Sequence, residues 1–257
     1  MSNITERSAR EAQIWDDQAL QRGGFEAMLR HANNGPARLR RNQFIGEAVA
    51  DLGDKTVLEL GSQAWHATLR RYGINPRALS CINISQTELD IGKASAAALD
   101  FRAEFRLADA HNTGLPDNHF DFVYGVAILH HLDFPVALRE IARITKPGGR
   151  ILFIEPLRLN PVAQLVRLMT PKARTPDERP LGREELKIID RYFETSHHYS
   201  ELFHLPAAVL SRFIFKNPVN PLTRAGDAID RGLARVLPGL GAYYRTVTIY
   251  GHKRPGV

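Results

Sequence analysis

The sequence predicts a doubly wound α/β fold built on a mostly parallel, seven-stranded sheet. Three observations carry that expectation. Short, continuous apolar runs recur from Lys55 onward, stretches with helical spacing separate them, and a Tyr-, Val-, Ile- and Thr-rich run follows a late helical excursion. Buried strands that alternate with helices imply right-handed crossovers and a parallel sheet covered on both faces.

Residues 1–52 read as a helical lid. "ITERSAREAQIWDDQAL" sets Ile4, Ile14 and Leu20 among charges, "GGFEAMLRHANNG" is a second short helix, and "PARLRRNQFIGEAVADLG" opens on Pro36 and stops at Gly53. Residues 53–156 are the core. Its strands are "KTVLEL", "RALSCINI", "AEFRLAD", "FDFVYGVAIL" and "GRILFIEPL", and its helices are "AWHATLRRYG", "SQTELDIGKASAAALD" and "FPVALREIARIT". A helix stop and tight turn are expected at "KPGG", Lys146 to Gly149. Residues 157–257 follow with helices in "NPVAQLVRLMTP" and "GREELKIIDRYF", a strand in "FETSHHYSELFHL", and a helical insertion from Pro206 to Leu237. A long final strand in "GAYYRTVTIYGHKR" forms an antiparallel edge. All three segments are taken as one domain.

Composition narrows the function. The net charge of +6 is uneven: 16 of the 34 Lys and Arg but 9 of the 28 Asp and Glu fall in residues 157–257, leaving 18 against 19 in residues 1–156. These basic residues are scattered, without Arg/Lys runs or interleaved aromatics, so nucleic acid is not the expected partner. An acidic substrate or a peripheral membrane contact fits them, and so does a solvated face. Cys81 is the single cysteine, which excludes an internal disulfide and a cysteine-rich metal site. A polar start without a signal-like apolar run, and no apolar run of transmembrane length, give a cytoplasmic expectation. No Walker loop, HExxH, CxxC or nucleophile elbow is present, and no metal is expected. "ELGSQAW" also lacks the G-x-G-x-x-G of a nicotinamide dehydrogenase.

In open α/β sheets ligands bind beyond the carboxyl ends of the strands. Those ends carry Glu59-Leu60-Gly61, Asn83 and Asp109, and the fourth strand runs through Gly125 and Val126 to His130 and His131.

With "VLELG", "INISQTELDIGKA", "LADAHNTGLPDNHFDFVYGVAILHHL" and "ALREIARITKPGGRILFIEP" in this order, residues 55–156 resemble the core of a class I S-adenosylmethionine-dependent methyltransferase, closest to the type 11 small-molecule group. The resemblance implies S-adenosylmethionine as cofactor and a Rossmann-like methyltransferase sheet. It also implies roles at the strand ends. Glu59 and Gly61, with the loop position Gln63, would serve the methionine end; Asn83 the ribose diol; Asp109 the adenine amino group; Ile84 and Ala110 the ring faces; and Gly125 and Val126 would offer carbonyls. Each has a bland alternative: Glu59 as a surface acid, Gly61 as a turn residue, Asp109 as a loop cap. The chain departs from the family at Gln63 and Trp65, where glycines are usual, and at Asn83, where an acid is usual.

Transfer from a sulfonium is an in-line displacement in which the protein aligns the acceptor, excludes water and removes a proton. Either His130 or His131 is the candidate base, although neighbouring residues point in different directions and neither need be catalytic. The acceptor is expected to be a small or lipid-like molecule, mainly apolar with a polar or anionic end. Ile14, Trp15, Leu165, Leu168, Met169, Leu202, Phe203, Leu210, Phe213, Ile214 and Phe215 are the expected lining. The alternative is a protein of this fold that has lost methyl transfer and binds its ligand or runs a non-methylating reaction. His197 and His198 are read as structural.

Overall fold

A computed structural model describes residues 2–18, 29–61, 66–96, 101–169 and 175–257. Gln63 and Trp65 lie outside the described residues. The strands are β1 (Thr56–Leu60), β2 (Ala78–Asn83), β3 (Ala103–Leu107), β4 (Phe120–Val126), β5 (Thr145–Pro156), β6 (Phe193–Ser200) and β7 (Thr246–Lys253). They form one seven-stranded sheet in the order β3-β2-β1-β4-β5-β7-β6. Strands β1 to β5 pair in parallel, while β7 runs antiparallel to both β5 and β6.

The C-terminal strand is therefore antiparallel, but it sits one place inside the sheet, and β6 forms the edge. The physical reason lies in the residues. β7 is fully buried from Val247 to Ile249, between two neighbours, whereas β6 reads FETSHHYS with alternating exposure, which suits a strand paired on one side. "KPGG" also differs from expectation. It lies within the start of β5, where Gly148 has φ +71° and the pairing to β4 shifts register between Phe120 and Phe122.

Helices cover both faces. α1 (Ser2–Gln18), α2 (Arg30–Asn34) and α3 (Pro36–Val49) precede the sheet; α4 (His66–Arg71), α5 (Gln86–Ala96) and α6 (Phe134–Ile144) connect its parallel strands. α7 (Pro161–Met169), α8 (Arg183–Tyr192), α9 (His204–Ile214) and α10 (Pro221–Val236) belong to the later part. Alternate strand residues feed two cores, as a period of two requires. Leu58, Leu60, Val123, Ile151 and Phe153 pack with Leu138 and Ile141 of α6 and Ile189 of α8. Val57, Leu79, Cys81, Phe122 and Leu152 pack with Ile45 and Val49 of α3 and Leu69 of α4. Each such fully buried Leu, Ile or Phe contributes roughly 1.5–3 kcal/mol. α3, read as part of a lid, is thus largely a core layer, and α1 is the helix that lies over the strand ends.

α6 begins where Asp133 accepts from Val136 N and Pro135 pre-sets the first turn, a start signal visible in "LDFPVAL". β1 and β4 are neighbours although the chain leaves β1 toward β2. Their carboxyl ends open the crevice at the switch point. No helix among the described residues is long and apolar enough to cross a membrane.

Candidate functional site

A cavity of about 420 Å³ opens at that switch point, within the usual range for small-molecule pockets. Its wall combines strand ends with the inner face of α1. Glu59, Leu60 and Gly61 come from β1 and its exit, Ile82, Asn83 and Ile84 from β2, Asp109, Ala110 and His111 from the loop after β3, and Val126, Ala127, Ile128, His131 and Leu132 from β4 and its exit. α1 adds Arg7, Ser8, Glu11 and Trp15; Arg38, Glu88 and Ala108 complete it. Seven of the strand-end residues singled out in the sequence therefore share one cavity: Glu59, Gly61, Asn83, Ile84, Asp109, Ala110 and Val126.

Three expected residues are not on its described wall. Gln63 lies outside the described residues. Gly125 stands behind the wall, where a Cβ would lie 2.7 Å from Ile128 Cγ2 and 2.9 Å from the Leu60 carbonyl oxygen; its glycine serves close packing. His130 turns away because its Nδ1 meets Glu155 Oε2 at 2.7 Å in the buried interior. Glu155 also accepts from the Ile128 and Leu129 amides, fixing the turn that carries both histidines.

His131 is the member of the pair that reaches the cavity. Its Nδ1 lies 3.3 Å from Glu11 Oε2 and 3.2 Å from Thr175 Oγ1, and its ring packs edge-on against Trp15 at 5.3 Å between centroids. Trp15 Nε1 in turn donates to Glu11 Oε2 at 3.1 Å. Burial pushes the Glu11 pKa up, but hydrogen bonds from His131, Thr175 and Trp15 outweigh it, so the carboxyl stays below its usual range. With Nδ1 facing an acceptor, the Nε2 lone pair of His131 is the one left for a proton.

Asp109 is held from several directions. Oδ1 accepts from the His111 amide at 2.9 Å and meets His111 Nδ1 at 2.6 Å, while Oδ2 accepts from Ser8 Oγ of α1 at 2.6 Å. The Asp133 amide donates to His111 Nε2 at 2.7 Å, so the imidazole carries its proton on Nδ1. Burial raises the Asp109 pKa, yet the bonds from His111 and Ser8 bring it down to about 2. Asp109 thus caps its own loop and also anchors α1. A second anchor is Asp16 Oδ1, which accepts from Ser85 Oγ at 2.5 Å and Thr87 N at 3.1 Å. A third is Arg7 Nη2, which donates to the His131 carbonyl at 2.6 Å.

Ala127 adopts φ +55°, in the left-handed region that costs a non-glycine residue about 1–2 kcal/mol. Such strain clusters where the chain must present a site, and Ala127 is on the cavity wall.

Sequence reasoning missed Arg7, Ser8, Glu11, Arg38, Glu88 and His111. Their charges and hydroxyls read as the solvated side of lid and helix; a signal existed only in Ser8, Glu11 and Trp15 recurring at helical spacing. Of the apolar residues expected to line an acceptor pocket, Trp15 is on the cavity wall, and those of the later segments are elsewhere. Leu165, Leu168, Phe203, Leu210, Phe213 and Ile214 are exposed on the outer surface, with Leu168 at 75% and Phe213 at 76%. Leu202 and Phe215 are half-buried away from the cavity, and the Met169 side chain is outside the described ones. His198 stacks on Phe44 and His197 Nε2 meets Thr195 Oγ1 at 2.9 Å, both within the fold.

A family model described as "Methyltransferase domain" matches residues 58–153. The 27-O-demethylrifamycin SV methyltransferase of Amycolatopsis mediterranei is 32% identical over 102 residues, 38% of this chain and 37% of that protein. Across the first three curated relatives the chain spans between 37% and 52% of their length. Among solved structures, geranyl diphosphate C-methyltransferase from Streptomyces coelicolor A3(2), determined with Mg²⁺, geranyl diphosphate and S-adenosyl-L-homocysteine, superposes with a TM-score of 0.60 at 16% identity, covering 96% of this chain and 98% of that one. The [4+2]-cyclase SpnF superposes with a TM-score of 0.56 at 20% identity, covering 84% and 81%. Residues 58–153 thus carry a methyltransferase domain, and the seven-stranded sheet around it has the Rossmann-like methyltransferase fold.

Proposed function

We propose that the chain transfers a methyl group from S-adenosylmethionine to oxygen or nitrogen of a small-molecule acceptor, with His131 taking the acceptor's proton. The observation that carries this reading is the convergence of Glu59, Asn83, Asp109 and His131 on one cavity. The donor set suits the cofactor. Glu11, Glu59, Glu88 and Asp109 give the wall four acidic residues against Arg7 and Arg38, which favours a cationic ligand. An amide at Asn83 can bond a diol, and Asp109 on the same wall as Ile84 and Ala110 suits a flat, apolar ring with an amino edge.

When bound, the cofactor supplies a methyl carbon on a positively charged sulfur. The chain does the rest. α1, fastened through Ser8, Arg7 and Asp16, covers the strand ends and limits water. Alkylation of an O–H or N–H acceptor releases one proton; His131 Nε2 takes it, and the imidazolium formed faces the Glu11 carboxylate. Trp15, Ile128 and Leu132 offer apolar wall, and Arg7 and Arg38 offer positive charge. That lining supports a mainly apolar acceptor with a polar or anionic end, a class that includes lipid-like molecules.

Calorimetry with S-adenosylmethionine, followed by label transfer to matched neutral and acidic acceptors, tests this. Binding in the micromolar range is expected. Absence of binding at millimolar concentration refutes the reading, and equal rates on both acceptors remove its anionic part. A second reading, loss of methyl transfer with the fold retained, draws support from Asn83, which replaces the usual acid. Tight cofactor binding without transfer to any acceptor would favour it.

A further inference from the structure

The turn that carries His130 and His131 meets a third donor outside the cofactor cavity. Glu178, in the segment between α7 and α8, comes alongside, and one ligand atom from each of His130, His131 and Glu178 lies within 4.8 Å of the other two. Both histidines are buried and Glu178 partly so. The Arg179 amide donates to the His130 carbonyl at 2.7 Å, which ties the Glu178 segment to the histidine turn.

Each imidazole is already oriented through one nitrogen. His130 Nδ1 meets Glu155 Oε2 at 2.7 Å, and His131 Nδ1 faces Glu11 Oε2 at 3.3 Å and Thr175 Oγ1 at 3.2 Å. Metal-ligating histidines are held in this way, with one ring nitrogen on a carboxylate and the other on the ion. Glu178 pairs with Arg167 Nη1 through Oε1 at 2.6 Å, and a carboxylate can serve a guanidinium with one oxygen and an ion with the other. Two imidazoles and one carboxylate are the donors of a borderline transition ion rather than of Mg²⁺ or Ca²⁺.

We propose that His130, His131 and Glu178 form a site for one divalent transition ion of the Zn²⁺ type. Three protein donors leave a tetrahedral ion a fourth position, and His131 places the site beside the cavity wall. Ion and proton exclude one another at His131 Nε2, so metal occupancy and the proton transfer assigned to His131 are alternative states. The site rests on its own geometry and is separable from that reading.

The test uses the chain of residues 1–257, free of any tag and stripped with EDTA. Calorimetry with Zn²⁺ and visible absorption with Co²⁺ should show one ion per chain, with the intense bands of a four-coordinate Co²⁺ centre. Ring-nitrogen NMR should show both Nε2 signals moving on Zn²⁺ binding. Glu178→Gln, at a partly buried position, and His130→Asn should each weaken binding at least tenfold, in line with what losing even an orienting partner costs. Lack of stoichiometric binding overturns the proposal. So does binding that neither variant weakens, or unmoved Nε2 signals. Cofactor calorimetry on the stripped protein, measured separately, reports on the methyltransferase reading alone.

Discussion

Glu11 Oε2 of the first helix stands 3.3 Å from His131 Nδ1 at the exit of β4, and the Trp15 indole donates to that same carboxylate oxygen. The pair joins lid to core. Its carboxyl is held below the ordinary range, so the charged, orienting form is in place above about pH 4.5 and is lost as pH falls through the lowered folded value. Glu11→Gln should lower kcat by roughly 10- to 100-fold with a smaller loss of cofactor affinity, since Glu59, Glu88 and Asp109 remain on the wall, and His131→Asn should lower kcat by roughly 10²- to 10⁴-fold. Steady-state kinetics with an acceptor that turns over, plus cofactor calorimetry, checks both. Wild-type kcat in Glu11→Gln would remove the orienting role.

Asp109 offers a stability measurement with a definite sign. Its folded pKa, about 2 against an ordinary 3.8, is depressed, so its contribution is full above the unfolded value and declines as pH falls toward 2. Allowing for solvent screening of a carboxylate that is 30% exposed, the contribution is about 1–2 kcal/mol at neutral pH. Urea unfolding of wild type and Asp109→Asn should differ by that amount at pH 6 and by clearly less at pH 3. A gap that stays constant with pH would contradict the assignment.

Ser8 Oγ donates to the same aspartate across 101 residues of chain. Ser8→Ala removes a charge-assisted bond that closes α1 over the cavity, at a cost of about 1–2 kcal/mol. That converts to roughly 5- to 30-fold faster cofactor dissociation, read by stopped-flow fluorescence of Trp15 and its fellow indole. Unaltered dissociation would show that the other contacts of α1, among them those of Asp16, Arg7 and Glu11, suffice to fasten it.

Gly125 separates a binding residue from a packing one. An alanine there would set its Cβ 2.9 Å from the Leu60 carbonyl oxygen and 3.1 Å from Phe153 Cε1, neither of which can move freely inside the sheet. Gly125→Ala should therefore destabilise the fold by about 1–3 kcal/mol in urea unfolding. Unchanged stability with weakened cofactor binding would return Gly125 to the cavity.

What the residues revealed in advance follows from what dictates locally. Of the five parallel strands, β1, β2, β4 and β5 were legible as largely apolar, mostly buried runs, whereas β3 is an alternating, largely exposed edge strand, and Asp133 with Pro135 announced α6. The order β7 before β6 at the sheet's end was less visible, since strand neighbours are set by long-range pairing; only the alternation in β6 hinted at an edge. At the site, strand-end residues were legible because topology alone brings Glu59, Asn83 and Asp109 together. Ser8 and Glu11 were not, because their partners lie more than a hundred residues away and nothing local distinguishes a latch from a solvated helix face. The apolar residues of α7 and α9 misled for the converse reason. Their spacing shows a face, and the chain turns that face outward.

Asn83 tests the departure from the family's usual acid most directly. Its side-chain oxygen accepts from the Ser85 amide at 3.0 Å, a short turn that starts α5 and that an aspartate would preserve. Asn83→Asp should therefore fold normally while offering a carboxylate in place of an amide to a ribose diol. Charge-assisted bonds to a hydroxyl are roughly twice as strong as neutral ones. The gain is opposed by the buried carboxyl of Glu88 on the same wall, so S-adenosylhomocysteine should bind about 3- to 10-fold more tightly rather than by the full difference. Calorimetry on wild type and variant, repeated with a 2′-deoxy analogue, locates the effect: tighter binding of the parent compound that shrinks with the analogue places residue 83 at the diol. Equal or weaker binding of the parent compound by Asn83→Asp would mean that residue 83 holds the turn and leaves the ligand to other groups.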